Sequence, residues 1–189
     1  VSLGDFAVSM GQGLILHNDF GTGKSSFVMN VKKAGRSLRP YSSVNEVNYF
    51  RGGGTVINIG KNLQTTVFAS YKPIDATVDR DTIENTDFDS FGSIRFDGYH
   101  RTEGEIANKN SIHQANVGTK VQYKVRDFKL AFNGLYTGFD AALIRDLNLY
   151  RKYLFAGKTL INTSIDYSYR WQNLTFFGES ALSDNGGRA

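Results

Sequence analysis

Residues 161–182 read INTSIDYSYRWQNLTFFGESAL, and the pattern within that stretch decides the fold. From Ile161 to Trp171 the odd positions, Ile161, Thr163, Ile165, Tyr167, Tyr169 and Trp171, share one face, while Asn162, Ser164, Asp166, Ser168 and Arg170 share the other. Strict alternation marks a strand, because successive side chains of a strand point to opposite faces. Gln172-Asn173 interrupts the pattern as a short turn. With Trp171 paired to Leu174, Leu174, Phe176 and Leu182 rejoin the apolar face, and Thr175, Glu179 and Ser183 rejoin the polar one. Globular strands run about 5–6 residues, whereas a tilted strand crossing a bilayer needs about 9–11, and these are of the longer kind. Tyr167, Tyr169 and Trp171 fall near the turn, where an interfacial aromatic girdle lies. A soluble two-sheet β-sandwich acting as a binding module also alternates and stays open as an alternative.

Composition narrows the choice. Of 189 residues, 40% are AVILMFWYC, 13% are aromatic and 20 are glycine, a profile that suits strands and turns better than packed helices. No apolar run approaches the roughly 18 residues of a transmembrane helix, so a membrane crossing requires a closed barrel, in which every backbone polar group is paired. The absence of cysteine excludes disulfides and thiolate metal sites. The opening VSLGDFAVSM has neither the charged nor the apolar region of a signal peptide, so a processed chain or a fragment is expected. A net charge of +4, from 22 basic and 18 acidic residues, is too balanced to imply nucleic-acid binding by itself.

Residues 5–16 alternate again, Phe6, Val8, Met10, Leu14 and Leu16 against Asp5, Ala7, Ser9, Gly11 and Gly13, with Gln12 and Ile15 as exceptions. The NDFGTGKSSF that follows is no phosphate loop, because Asn18 stands where a Walker A motif needs glycine. From Lys24 to Asn45 the alternation is lost, and Lys24, Lys32, Lys33, Arg36 and Arg39 accumulate with no acid before Glu46. This basic excursion is either a loop folded into the lumen or over its mouth, attracting anions or phosphates, or a solvated loop. Arg39-Pro40-Tyr41 is expected to be an extended turn.

Gly52-Gly53-Gly54 opens a strand, which Gly60-Lys61-Asn62 turns into a second hairpin ending near Lys72. Asp75, Asp79, Asp81, Glu84, Asp87 and Asp89 then gather against a lone Arg80. They could clasp calcium, but their spacing fits no EF-hand, and a solvated acidic loop is the expectation. Thr102-Glu103-Gly104-Glu105 is a capping box that starts a short helix reaching to about Ile112. A third hairpin turns at Asp127, between Val117–Val125 and Phe128–Tyr136. If the three tight turns share the periplasmic side, residues 73–111 form one long outer excursion that includes SFGSIRF, and residues 139–157, with Arg145, Asp146, Arg151 and Lys152, form another.

The expected fold is therefore all-β, an antiparallel transmembrane β-barrel wall of seven spanning strands with long outer loops. The spans are 5–16, 48–59, 63–72, 112–125, 128–138, 158–171 and 174–183. Bacterial single-chain barrels have even strand counts from eight upward, so residues 1–189 are expected to be one segment of a larger barrel, completed by further strands of its own chain.

Several stretches resemble a Bacteroidota family of outer-membrane β-barrel proteins whose full-length members carry an N-terminal helix-hairpin-helix domain. They are GQGLIL at 11–16, FGTGKS at 20–25, RPYSSVNE at 39–46, NYFRG at 48–52, YHRTEGEIANK at 99–109 and YLFAGKTLINTSIDYSYRWQNLTFFGES at 153–180. The resemblance implies the barrel portion of such a protein and no particular activity.

Three roles follow as expectations. The first is a bacterial outer-membrane barrel acting in transport, as a channel or as a scaffold, its lumen lined by Lys120, Lys124, Asn162, Asp166, Arg170 and Glu179. The second is a DNA-handling protein gripping phosphates with the basic loop at 24–39. The third is a subunit whose outer loops bind other outer-membrane proteins. The partners are the lipid bilayer, the remaining strands and such subunits, with nucleic acid undecided. Catalysis is not expected: the histidines are His17, His100 and His113, all at strand ends or in loops, and no serine sits in a G-x-S-x-G elbow. No metal or cofactor is expected either.

Overall fold

A computed structural model describes residues 1–18, 31–33, 35–43, 48–78, 90–145 and 151–189. They form one curled, mostly antiparallel sheet, a half-barrel in outline, with one short helix. Its strands are β1 (Ser2–Val8), β2 (Leu38–Pro40), β3 (Phe50–Ile59), β4 (Leu63–Ile74), β5 (Ala76–Val78), β6 (Ser90–Ile94), β7 (Ile112–Val125), β8 (Phe128–Leu143), β9 (Gly157–Trp171) and β10 (Leu174–Ser183). The order across the sheet is β10-β9-β8-β7-β4-β3-β1-β2, and the described strands make no second layer.

The hairpin at 161–182 has the expected register: Trp171 faces Leu174, and the ladder runs unbroken to Asn162 opposite Ser183. Its two-residue turn places Gln172 at φ +50°, and the turn joining β7 to β8 places Arg126 at +49°. Tyr123 of β7 lies opposite Leu63 of β4, and Tyr169 of β9 lies opposite Phe128 of β8, so all three tight turns share one rim. Backbone bonds from Lys124 to Asn62 (2.8 Å) and from Arg170 to Asp127 (3.1 Å) tie the rim together. The connections from β4 to β7 and from β8 to β9 leave and re-enter the sheet at the opposite, far rim, as strand parity leads one to expect.

Four expectations are corrected. The first span does not run over 5–16. β1 stops at Val8, Gly11 (φ +52°) and Gly13 (φ +88°) take the left-handed conformation that glycine tolerates, and the chain folds back so that Ser9 bridges His17. Arg39-Pro40 is a short strand on the edge of β1, a position where proline's missing N–H costs no ladder bond. Within the long excursion, SFGSI forms β6, which pairs with β5 and runs parallel to the end of β8. The helix (α1) spans Glu103–Ala107, shorter than expected, because β7 already begins at Ile112. Its capping box is present, with Thr102 Oγ1 accepting from Glu105 N (3.2 Å) and Glu105 Oε2 accepting from Thr102 N (3.2 Å).

The two sides of the sheet differ in kind. On the convex side Val117, Val121, Phe132, Ile161 and Ile165 are each more than a third exposed. On the concave side Thr66, Asn116, Lys120, Asn133, Thr137 and Ser164 are buried. Apolar packing on the concave side is concentrated in Phe6, Val8, Met10, Phe50, Phe68 and Leu135, onto which Ile15, Leu16 and Leu38 fold. A second cluster at the far rim joins Val78 and Phe91 to Ile112, Ala141 and Leu143, holding the β5–β6 ribbon on the ends of β7 and β8. After Ser183 the chain turns at Gly186 and returns along the outer edge of β10, where Ala181 and Ala189 exchange backbone bonds of 2.8 and 3.0 Å.

Candidate functional site

The concave face is where chemically distinct side chains converge. Even positions of β7 and β9 and odd positions of β8 and β10 point inward, which the ladders bring into rows. Lys120 lies opposite Asn133, Asn133 opposite Ser164, and Asp166 opposite Glu179. Asn133 Nδ2 donates to Ser164 Oγ (3.0 Å) and to Asp166 Oδ2 (2.8 Å), so an amide with a fully buried side chain cross-links β8 and β9.

Glu179 clasps the inward-folded turn. Its Oε2 accepts from Gln12 N (2.7 Å) and Leu14 N (3.0 Å), and its Oε1 accepts from Ser164 Oγ (2.6 Å). Two convergent backbone N–H groups on a carboxylate make charge-assisted bonds, stronger than those between neutral groups. A Cβ at position 11 would collide with this carboxylate, so glycine there serves both the turn and the clasp. Gly118 likewise leaves room for the Phe68 ring and the Met10 methyl. Residues 9–18 thus form a plug seated against the wall by apolar contacts at Met10, Ile15 and Leu16 and by the Glu179 carboxylate.

The basic excursion turns toward the same face. Lys32 Nζ donates to Ser168 Oγ (2.5 Å) and lies 5.8 Å from the centre of the Phe177 ring. Lys33 N donates to Gln12 Oε1 (2.9 Å), which links the excursion to the plug. Arg39, in β2, donates to the Asn18 carbonyl (2.9 Å). Arg36 lines a cavity of about 520 Å³ together with Lys32, Lys33, Lys120 and Asp166. Lys24 lies outside the described residues, as do Asp79, Asp81, Glu84, Asp87 and Asp89 of the acidic run and Asp146 of the last loop.

Lys124 and Arg170 stand at the tight-turn rim, with Arg170 Nη2 paired to Asp127 Oδ1 (2.6 Å), and Asn162 lies opposite Leu135 between β8 and β10. The concave residues missed by sequence reasoning are Lys129, Asn133 and the plug residue Gln12. Alternation with Phe128, Leu130 and Phe132 assigns Lys129 and Asn133 to the inner face, but no pattern in the chain marks Gln12.

The histidines are held apart. His100 Nε2 meets Asp75 Oδ2 at 2.7 Å, and His113 Nδ1 meets Asp140 Oδ2 at 3.2 Å. At the far rim a cavity of about 640 Å³ mixes Asp5, Arg51, Lys72, Asp75 and His100 with Tyr41 and Tyr49. No family model, curated protein or solved structure matches the chain.

Proposed function

We propose that this chain is a wall segment of a bacterial outer-membrane β-barrel with a transport, scaffold or assembly-subunit role and no catalysis. The observation that carries the reading is the inversion of the two faces. On the convex side the strand positions between the rims bear no charge. The band ends at Arg51–Asp5 and His113–Asp140 on the far rim and at Tyr123, Tyr169 and Trp171 on the turn rim. From His113 to Tyr123 the chain rises ~33 Å at about 3.3 Å per residue, or ~25 Å once a strand tilts by about 40°, the height of a barrel's apolar belt. In water such a face forfeits on the order of 1 kcal/mol for each half-exposed large side chain, which contact with acyl chains supplies. The bilayer and further strands of the same chain, closing the sheet beyond β10, are the partners this reading requires. Residues 187–189 already run where the next strand belongs.

Single cysteines introduced at 161–168 of the full-length protein in membranes test the reading. Lipid-side labelling at Ile161, Thr163, Ile165 and Tyr167, with aqueous or shielded behaviour at Asn162, Ser164, Asp166 and Ser168, is the expected outcome. Uniform aqueous access would overturn it.

A further inference from the structure

We propose that the concave face at the tight-turn rim is a binding site for a small polyanion bearing phosphate or carboxylate groups. The site goes beyond the membrane reading, since it needs only the concave face. Two cavities, of about 520 and 670 Å³, share Lys32, Lys129 and Ser168 and so form one lane from the rim inward. Lys124, Arg126 and Arg170 flank its outer part, and Lys33, Arg36 and Lys120 its inner part.

Among the described residues only two carboxylates line the lane, and each is engaged: Asp127 by Arg170, and Asp166 by the Asn133 amide. Among the described residues Lys33, Arg36, Lys120, Lys124, Arg126 and Lys129 form no ion pair. Lys120 is the decisive member, because it is only 9% exposed and makes no hydrogen bond among the described residues. A buried ammonium beside further ammoniums is costly unless a negative charge joins it. The wall supplies part of that charge, since Asp166 and Glu179 act on Lys120 from the neighbouring strands, but both carboxylates are already engaged by hydrogen bonds, and a ligand with two or more anionic groups spaced along the lane supplies the rest. Ser168 and Gln122 add neutral polar groups beside the cations.

Isothermal titration of the full-length protein in neutral-detergent micelles, first with inorganic pyrophosphate and then with citrate, tests the site. Saturable binding of at least one, weakening as sodium chloride rises, is expected, and the anion that binds identifies the preferred group. Lys120→Gln and Lys129→Gln should each weaken binding by about tenfold. Lys61→Gln, in the β3–β4 turn at the same rim but outside the lane, should leave it unchanged. Heat-dependent gel mobility reports whether each variant is folded. Should either strand variant fail to fold, Lys33→Gln, outside the strands, decides the matter. The proposal falls if neither anion binds saturably, or if the folded lane variants bind as tightly as Lys61→Gln.

Discussion

Two neighbouring residues of β9 carry opposite fates. Ile165, on the convex side, is 54% exposed, while Ser164, one position earlier on the concave side, is 3% exposed. In a protein surrounded by water on both sides the apolar residue would be the covered one. The same reversal recurs at Phe132 (48%) beside Asn133 (0%) and at Val121 (36%) beside Lys120 (9%), so it belongs to the wall and not to a single strand. On the proposed membrane reading, the difference teaches that burial within this chain and contact with an apolar medium are separate matters. The concave side is held by hydrogen bonds and a plug, whereas the convex side depends on what surrounds the protein.

The strongest challenge to that contrast is a charge on the convex side. Phe132→Arg should destabilise the folded protein in lipid vesicles by about 2–4 kcal/mol, read from the urea dependence of its unfolding. A Phe132→Arg protein as stable as the parent in vesicles would break the comparison. On the concave side, Glu179→Ala leaves the N–H groups of Gln12 and Leu14 without their acceptor, a loss of about 1–3 kcal/mol. Faster hydrogen exchange at those two amides, with the β9–β10 ladder unchanged, is the expected signature; equal loss across the ladder would mean that plug and wall are one unit.

The smallest effect belongs to neither face. Thr102→Ala removes one half of the capping box of α1 and should cost about 1 kcal/mol locally, visible as faster exchange at the Glu105 amide. Acid acts on the other half. Backbone N–H bonds from Arg101 and Thr102 hold the Glu105 carboxyl below its ordinary value, so its contribution is complete above the unfolded-state pKa and fades as pH falls through the lower folded one. Helix signals should therefore weaken below about pH 4.5 while the strand signals persist.

How much of this was legible depended on whether a feature is local. The register from Trp171–Leu174 to Asn162–Ser183 follows from alternation around a two-residue turn, and the capping box from four adjacent residues. Alternation overextends β1 because Leu14 and Leu16 continue the parity of Phe6 and Val8, although Gly11 and Gly13 reverse the chain between them. Alternation assigns Glu179 to the polar face, but its partners are backbone N–H groups, which every residue but proline carries and no side-chain pattern marks. On β8 the inner face mixes Lys129, Ala131, Asn133, Leu135 and Thr137, which hid Lys129 and Asn133 behind the clear outer row.

The Glu179 clasp also orders events in time. Its bond to Gln12 joins positions 167 residues apart, whereas each hairpin joins strands that follow one another directly. Contacts between sequence neighbours close small loops and form early, while a contact spanning nearly the whole chain must wait until the intervening segments have been brought together. In pulsed hydrogen exchange during refolding, the amides of Gln12 and Leu14 should gain protection after those of the three hairpins, so that the interior closes only once a wall exists to close against.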